Sequence, residues 1–341
     1  MRPERVLVTG GTGVVGAWVV RGLYERGVTP IVFTRGQTEG IGGAINGDLA
    51  GRLVAARGDV LDRESIERAV SAHGAQAIIH MASAKPWQME RPFVPESRPR
   101  EAIQQIALGT LNVLDAARAT GVHRVVYASS KAVFGDVDGE HSVPCYRPLP
   151  AEHPRLPRML YGIGKVAAED LGRYYREQHG MQFTSIRFSS SYGPLKRGPT
   201  EVALEGALMA AARGMPVRLR AYTGGQKEDY TYNKDVAQAF VLAALSDRRL
   251  AWAYNIGSGR LVDHEVIARA ILHHLPDADI DVVDPDEGPT VMDRARCLMD
   301  YRAATEDLGY RPRWAALDEA FGDFLAEEGR IGRVQEAAAD R

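Results

Sequence analysis

Short apolar runs rich in β-branched residues alternate with longer segments in which apolar residues recur every three to four positions. The short runs are residues 5–9, 30–34, 53–57, 77–81, 124–128 and 183–188. The segment after the first run places Val15, Trp18, Val19 and Leu23 on one helical face. This alternation predicts an α/β fold, a doubly wound parallel sheet of the Rossmann type with helices on both faces.

The alternation weakens after Tyr192, where helices at 201–213 and 262–274 and a strand at 217–220 are expected to form a smaller C-terminal substrate lobe. We therefore assign residues 1–189 and 225–258 to the dinucleotide-binding domain, 190–224 and 259–329 to the lobe, and 330–341 to a frayed or disordered tail. The proline-containing stretches 85–100 and 136–158 predict loops, which are either substrate lids or plain surface connections.

A glycine-rich turn joins the first strand to the first helix, the position that a dinucleotide-binding turn requires. Gly10 permits a tight turn, Gly13 a close approach to a pyrophosphate, and Gly16 tight packing of the helix on the sheet. The helix N-terminus then favours negative charge. The predicted contacts here are Gly10, Thr12, Gly13, Val14, Val15 and Gly16.

The end of the second strand bears on the choice between NAD and NADP. An acidic residue that would bind ribose hydroxyls is absent, and Arg35 occupies this region. Arg35 could pair with a 2′-phosphate, which slightly favours NADP, or it could be a solvated arginine. After the third strand, Asp59 with its neighbour Val60 is expected beside the adenine, whereas Asp62 is expected to cap the next helix.

Tyr161 and Lys165 stand four residues apart, so on a helix they share one face. A nearby ammonium can lower the pKa of a phenol from about 10 by about 1–3 units, which would make Tyr161 a proton shuttle. The pair alone also fits an ordinary amphipathic helix. Ser130, at the carboxyl end of the fifth strand, offers a hydroxyl to the same substrate oxygen and favours a catalytic role.

Together these motifs resemble the extended short-chain dehydrogenase/reductases, which include the NAD-dependent epimerases and dehydratases. The resemblance runs from Val6 to about Pro312. It also rests on residues 80–83, 109–114, 129–135, 187–194 and 229–237.

The resemblance implies that Ser130 is the catalytic hydroxyl, Tyr161 the general acid/base and Lys165 its electrostatic partner. It places Ala82 and Ser83 beside the cofactor and implies a homodimer built on the helices before Thr120 and after Tyr161. The substrate residues that we expect are Lys85, Ser130, Lys131, Ser190 and Tyr192.

The chain departs from the family pattern at several positions. Lys131-Ala132 replaces the Asp-Glu pair of dehydrating members, which argues against elimination of water. Ser190 and Glu228 stand where members that bind a nucleotide diphosphate have asparagine and arginine, and Ile106 replaces a frequent asparagine. A carboxylate facing a pyrophosphate would weaken binding, so a smaller polar substrate is expected.

We therefore expect NAD(P)-dependent hydride transfer between a secondary alcohol and a ketone on a sugar-, polyol- or hydroxy-acid-like substrate. The alternatives are an NAD-dependent epimerase of a sugar or nucleotide-sugar, acting through a transient ketone, and a non-catalytic dinucleotide-sensing protein.

Composition and net charge limit the classes of binding partner that the sequence predicts. A net charge of −2, with 45% hydrophobic and 25% charged residues, argues against nucleic acid. Cys145 and Cys297 form no recognisable disulfide or metal motif, so we expect no metal. The chain shows neither a signal peptide nor a membrane-length apolar segment, so no membrane association and a cytoplasmic location are expected.

Overall fold

The computed structural model describes residues 2–36, 41–83, 87–88, 91–92, 97–196, 204–285 and 293–339. Lys85, one of the expected substrate residues, lies outside these ranges. The strands, in chain order, are β1 (Arg5–Thr9), β2 (Thr29–Thr34), β3 (Val54–Arg57), β4 (Ala77–His80), β5 (Trp87–Gln88), β6 (Arg91–Pro92), β7 (Arg124–Ala128), β8 (Gln182–Phe188), β9 (Ser190–Tyr192), β10 (Val217–Arg220), β11 (Glu228–Tyr232), β12 (Ala253–Ile256), β13 (Leu261–Val262) and β14 (Ile280–Val283).

Helices cover much of the remaining described chain. They are α1 (Val14–Tyr24), α2 (Ile41–Asn46), α3 (Arg63–His73), α4 (Pro99–Ile103), α5 (Gly109–Ala119), α6 (Leu160–His179), α7 (Leu204–Ala212), α8 (Asn233–Leu245), α9 (His264–His274), α10 (Arg302–Leu308) and α11 (Leu317–Ala339). Among the described residues, no helix is both long and apolar enough to cross a membrane.

A seven-stranded parallel sheet, ordered β3-β2-β1-β4-β7-β8-β12, forms the centre of the fold. Apart from the edge strand β3, its strands are almost continuously buried because helices cover both faces, and each face has its own apolar cluster. The chain order reverses between β1 and β4, which opens a crevice at their carboxyl ends. The doubly wound fold predicted from the sequence is thus confirmed.

Local sequence signals explain several helix boundaries. The carboxylate of Asp62 accepts a hydrogen bond from the backbone N–H of Ser65, which confirms the expected N-cap of α3. Pro99 lies in the first turn of α4, where its missing N–H costs nothing, so part of the expected 85–100 loop is helical. Between α4 and α5, the residues Gln104–Leu108 form a π-helical turn that the pattern did not predict.

The smaller lobe is built around a three-stranded sheet, ordered β13-β11-β9, and the parallel pair β10 and β14. Strand β11 thus packs with the lobe, although residues 225–258 were expected in the dinucleotide-binding domain. Helices α7, α9 and α11 bury their apolar faces in one cluster with these strands. The expected helix at 262–274 begins later, because Asp263 caps α9 through the N–H of Val266. Helix α11 continues past Gly329 to Ala339, and Ile331 is buried against the main sheet.

We predict that the contact between α6 and β8 tolerates no added methyl group. A Cβ on Gly172 would overlap the ring of Phe183, so Gly172→Ala should lower the free energy of unfolding by about 1–3 kcal/mol. Gly332→Ala is the matched control, because an added Cβ meets no atom within 4 Å and should stabilise α11 by roughly 0.5–1 kcal/mol. Urea unfolding that gives both variants the same change would contradict this packing.

Candidate active site

Two glycines bring α6 close to the carboxyl end of β7. A Cβ on Gly162 would overlap the carbonyl oxygen of Ala132, and one on Gly164 would lie 3.2 Å from the side chain of Ile106. Glycine weakens an isolated helix by about 1 kcal/mol per residue, so tertiary packing offsets its poor propensity here. The result is that Tyr161 and Lys165 face the end of β7.

Ser130 and Tyr161 meet at this point. Ser130 directly follows β7 and caps the short 3-10 helix Lys131–Val133, with its Oγ accepting a hydrogen bond from Ala132 N at 3.1 Å. The side chain of Tyr161 faces that of Ser130, whose hydroxyl lowers the pKa of the phenol against the effect of burial. Two hydroxyls therefore converge where a substrate oxygen could accept from one and exchange a proton with the other.

Lys165 lies beneath these hydroxyls and is almost fully buried. Its Nζ donates to the Ala128 carbonyl at 2.6 Å and lies 4.8 Å from the centroid of the Tyr127 ring and 5.4 Å from that of Tyr161. Burial lowers the pKa of Lys165 to about 7, although the charge of Glu169 opposes the shift.

The expected lowering of the Tyr161 pKa is not found. Burial raises the pKa of this phenol, and the Ser130 hydroxyl offsets only part of the rise. Because an isolated phenolate is costly in a dry site, Tyr161 needs a charged Lys165 to act as a base.

The glycine-rich turn has the geometry that a dinucleotide requires. Gly10 has a φ of 72°, and a Cβ on it would lie 2.7 Å from the backbone nitrogen of Ala82. A Cβ on Gly16 would overlap the carbonyl of Gly10. Gly13 caps α1 without a side-chain hydrogen bond, so the first-turn N–H groups of Val14 and Val15 can receive a phosphate. The turn therefore fits a pyrophosphate.

The other expected cofactor residues surround this turn. Ser83 has a buried hydroxyl with no hydrogen-bond partner in the described part of the chain. Asp59 is half-buried and its carboxylate accepts from Leu61 N at 2.9 Å, next to the buried Val60. Arg35 is exposed just after β2. Thr12 is fixed through its carbonyl, which accepts from Gly42 N at 3.1 Å.

Lys131 and Glu228 form a buried ion pair that the sequence did not reveal. The Nζ of Lys131 lies 2.6 Å from both carboxylate oxygens of Glu228, and Arg296 Nη1 lies 3.3 Å from one of them. Arg296 also stacks on Tyr222, 3.4 Å from the ring centroid. Two corrections follow. Glu228 does not present an uncompensated charge, and the ammonium of Lys131 is bound internally instead of being free for a substrate.

The two expected substrate residues on β9 have different environments. Ser190 is half-buried, opposite Tyr230 of β11. Tyr192 is 1% exposed and packs against Tyr232 and Phe321, with ring centroids 5.3 and 6.3 Å away. Tyr192 thus belongs to the core of the smaller lobe, which does not favour its expected contact with a substrate.

Among the described residues, no group of three or more His, Cys, Asp or Glu side chains could hold a metal ion.

The set of residues at the carboxyl ends of β1, β4 and β7 is that of a dinucleotide-dependent enzyme of the extended short-chain dehydrogenase/reductase type. The profile of the NAD dependent epimerase/dehydratase family matches residues 6–257. The chain belongs to this family, which confirms the resemblance inferred from its motifs.

Similar proteins carry several activities. A putative UDP-glucose 4-epimerase of Methanocaldococcus jannaschii is 26% identical over 309 residues, 90% of this chain and 93% of that protein. The uronate dehydrogenase of Pseudomonas syringae is 31% identical over 134 residues, 39% of this chain and 42% of that protein. The Thermus thermophilus UDP-glucose 4-epimerase in complex with NAD has a TM-score of 0.72 at 26% identity, covering 94% and 99% of the two chains.

We predict strong energetic coupling between Lys131 and Glu228. Lys131→Met should cost about 3–5 kcal/mol in unfolding free energy because it removes the closest cation from a buried carboxylate. Adding Glu228→Gln should recover much of that loss, since the charge left behind is then removed.

The exposed pair Arg147–Glu140 provides the control, and Arg147→Met should have a much smaller effect on unfolding because solvent screens both charges. Chemical denaturation measures all these variants. Strictly additive effects of Lys131→Met and Glu228→Gln would show that the two groups are not coupled.

Proposed function

We propose that this protein is an NAD-dependent epimerase that oxidises a secondary alcohol of a sugar and returns the hydride to the opposite face of the transient ketone. The observation that carries the proposal is the meeting of Ser130 and Tyr161 above the buried Lys165, at the same edge of the sheet as a turn that fits a pyrophosphate. Similarity to a putative 4-epimerase over 90% of the chain supports epimerisation over net oxidation.

Tyr161, Ser130 and Lys165 have different roles in the transfer of the substrate proton. Bound NAD supplies a hydride acceptor and donor. Tyr161 takes the proton of the substrate hydroxyl and returns it when the ketone is reduced, while Ser130 donates a hydrogen bond to the same oxygen. Lys165, when protonated, stabilises the phenolate of Tyr161 across the 5.4 Å between its Nζ and the ring centroid.

The charges near Ser130 support a substrate without a nucleotide diphosphate. Lys131 follows Ser130 directly, but its ammonium is already bound to Glu228. A pyrophosphate in this region would have to compete with a buried carboxylate for that cation. We therefore propose a small polar sugar, polyol or sugar acid as the substrate class, with UDP-sugars as the comparison in any assay.

We propose NAD as the cofactor, which the Thermus enzyme in its NAD complex supports. Arg35 is exposed after β2 and could meet a 2′-phosphate, so the affinities for NAD and NADP should be measured side by side.

Net dehydrogenation is the second candidate. It is supported by the 31% identity to a uronate dehydrogenase over 134 residues. The two functions differ in cofactor turnover, because an epimerase leaves NAD unchanged over a full cycle.

The decisive experiment follows a sugar deuterated at the reacting carbon. An epimerase should invert that carbon without added cofactor and keep the deuterium, whereas a dehydrogenase should transfer it to free NAD. Stoichiometric reduction of NAD without inversion would overturn the proposal. Tyr161→Phe should lower kcat by roughly 100-fold or more while leaving NAD affinity within about twofold.

Tyr174→Phe is the matched control, since Tyr174 lies on the same helix and is 54% exposed. It should keep the wild-type rate. Full activity of Tyr161→Phe would contradict its role. A wild-type protein with no activity on any substrate would instead favour the non-catalytic, dinucleotide-sensing alternative.

We also propose a homodimer built on α5 with its preceding π-helical turn and on α6. These segments expose Leu108 (44%), Ile163 (45%) and Tyr174 (54%) to solvent in the single chain. Apolar side chains exposed on paired helices favour self-association.

Leu108→Glu combined with Ile163→Glu should convert the dimer into a monomer in light scattering and sedimentation. Met215→Glu is the control, because Met215 is equally exposed (44%) but lies between α7 and β10. A wild-type protein that is monomeric at micromolar concentration would refute this interface.

A further inference from the structure

A chain of hydrogen bonds runs through the buried centre of the sheet at His80, the last residue of β4. His80 Nδ1 lies 2.7 Å from Thr9 Oγ1, and His80 Nε2 lies 3.2 Å from Thr110 Oγ1. The Thr110 hydroxyl in turn lies 2.6 Å from the carbonyl oxygen of Ile106. The three residues whose side chains form this chain of hydrogen bonds, Thr9, His80 and Thr110, are fully buried.

The neighbouring contacts fix the direction of every bond. Thr110 has a single hydroxyl proton, which it donates to the Ile106 carbonyl oxygen, so Thr110 Oγ1 must accept from His80 Nε2. Thr9 Oγ1 accepts from the N–H of Ala82 at 3.2 Å and shares the N–H of Met81 with its own carbonyl oxygen, and its proton goes to His80 Nδ1. The ring is then neutral with its proton on Nε2, which donates to Thr110, and Thr110 donates to Ile106.

One end of the chain holds the dinucleotide turn. Thr9 directly precedes Gly10. The two N–H groups that donate to Thr9 Oγ1 belong to Met81 and Ala82, whose backbone lies against Gly10. An added Cβ on Gly10 would lie 2.7 Å from Ala82 N and 2.8 Å from the Met81 carbonyl carbon. The position of this backbone therefore sets the shape of the turn.

The other end holds the catalytic helix. Ile106 lies in the π-helical turn, and its side chain packs against Gly164, the residue directly before Lys165. The Thr110 hydroxyl donates to the Ile106 carbonyl four residues earlier and so ties α5 to this turn. The ring of His80 also lies 5.7 Å from that of Tyr127, over which Lys165 Nζ sits.

We propose that His80 is a positioning residue that couples the dinucleotide turn to the Tyr161/Lys165 helix through Thr9 on one side and Thr110 on the other. Because His80 is fully buried, it acts through Thr9 and Thr110 and not by touching the cofactor or the substrate. Its burial and the charge of Lys165 lower its pKa to about 3, so the ring stays neutral and the direction of the chain does not reverse near neutral pH. The inference concerns cofactor binding and helix placement, and it holds whether the enzyme epimerises or dehydrogenates.

Thr110 provides the sharpest test, because it lies on the far side of His80 from the dinucleotide turn. Thr110→Val should weaken NAD binding roughly tenfold in calorimetric titration of the full-length protein, and Thr110→Ser, which keeps the hydroxyl, should restore it. Thr9→Val should weaken binding by a similar factor, and the double variant should be little worse than either single one because both break the same chain.

Thr184→Val is the matched control. Thr184 is equally buried on β8 and donates to the Ala251 carbonyl at 3.0 Å, outside the His80 chain. It should destabilise the protein to a similar degree yet leave NAD affinity within about twofold. If Thr110→Val affects NAD affinity no more than Thr184→Val does, His80 does not couple the two ends and the proposal fails.

A spectroscopic measurement tests the same inference on the unsubstituted protein, with His80→Phe used only to assign the signal. Nitrogen NMR of the histidine-labelled protein should show one ring, absent from the spectrum of His80→Phe, that is neutral and protonated on Nε2 from about pH 6 to about pH 8. A ring protonated on Nδ1, or one that titrates in that interval, would overturn the assignment. Because neither readout uses a substrate, a failed epimerase assay leaves this test intact.

Discussion

The structure depends on backbone segments that approach each other too closely for any intervening side chain. At the carboxyl end of the sheet, Gly10 meets the backbone of Ala82, and Gly162 meets the carbonyl of Ala132. These contacts place the turn that fits a pyrophosphate and the helix of Tyr161 and Lys165 at the same edge of the sheet. Each requires glycine at a position where glycine is costly in conformational entropy. Main-chain packing therefore fixes the position of the site, and with it the positions of the Ser130, Tyr161 and Lys165 side chains.

Much of the fold could be predicted because its signals are local. The period of two in buried strands and of three to four in helices located the parallel sheet, and Asp62 marked the start of α3. The π-helical turn at Gln104–Leu108 could not be found in this way, because it arises where Ile106 is wedged against Gly164 of another helix. Sequence periodicity carries no information on such a contact. Burial of Tyr192 depends likewise on Phe321, far along the chain.

The candidate site shows the same division between local and non-local information. The glycine turn, Ser130, Tyr161 and Lys165 were recognisable because their spacing and their place after strands carry the chemistry. Lys131 and Glu228 were each interpreted as single charges, and the interpretation failed because they neutralise each other. The sequence could not show the pairing, since Lys131 follows β7 and Glu228 begins β11. For the same reason the pKa of Tyr161 was predicted in the wrong direction, because its burial is a property of the packed site.

The buried ion pair also has a geometric consequence for the reaction. Ser130 caps the short helix that contains Lys131, and Lys131 is bound to the first residue of β11 in the smaller lobe. A displacement of β11 would pull on the turn that aims the hydroxyl of Ser130. On the other side of that turn, Gly162 fixes Ala132 against α6. Ser130 is thus held between the smaller lobe and the Tyr161 helix. A change in the lobe at Glu228 would therefore reach Ser130 through the ion pair with Lys131, and a change in α6 would reach it through the contact between Gly162 and Ala132.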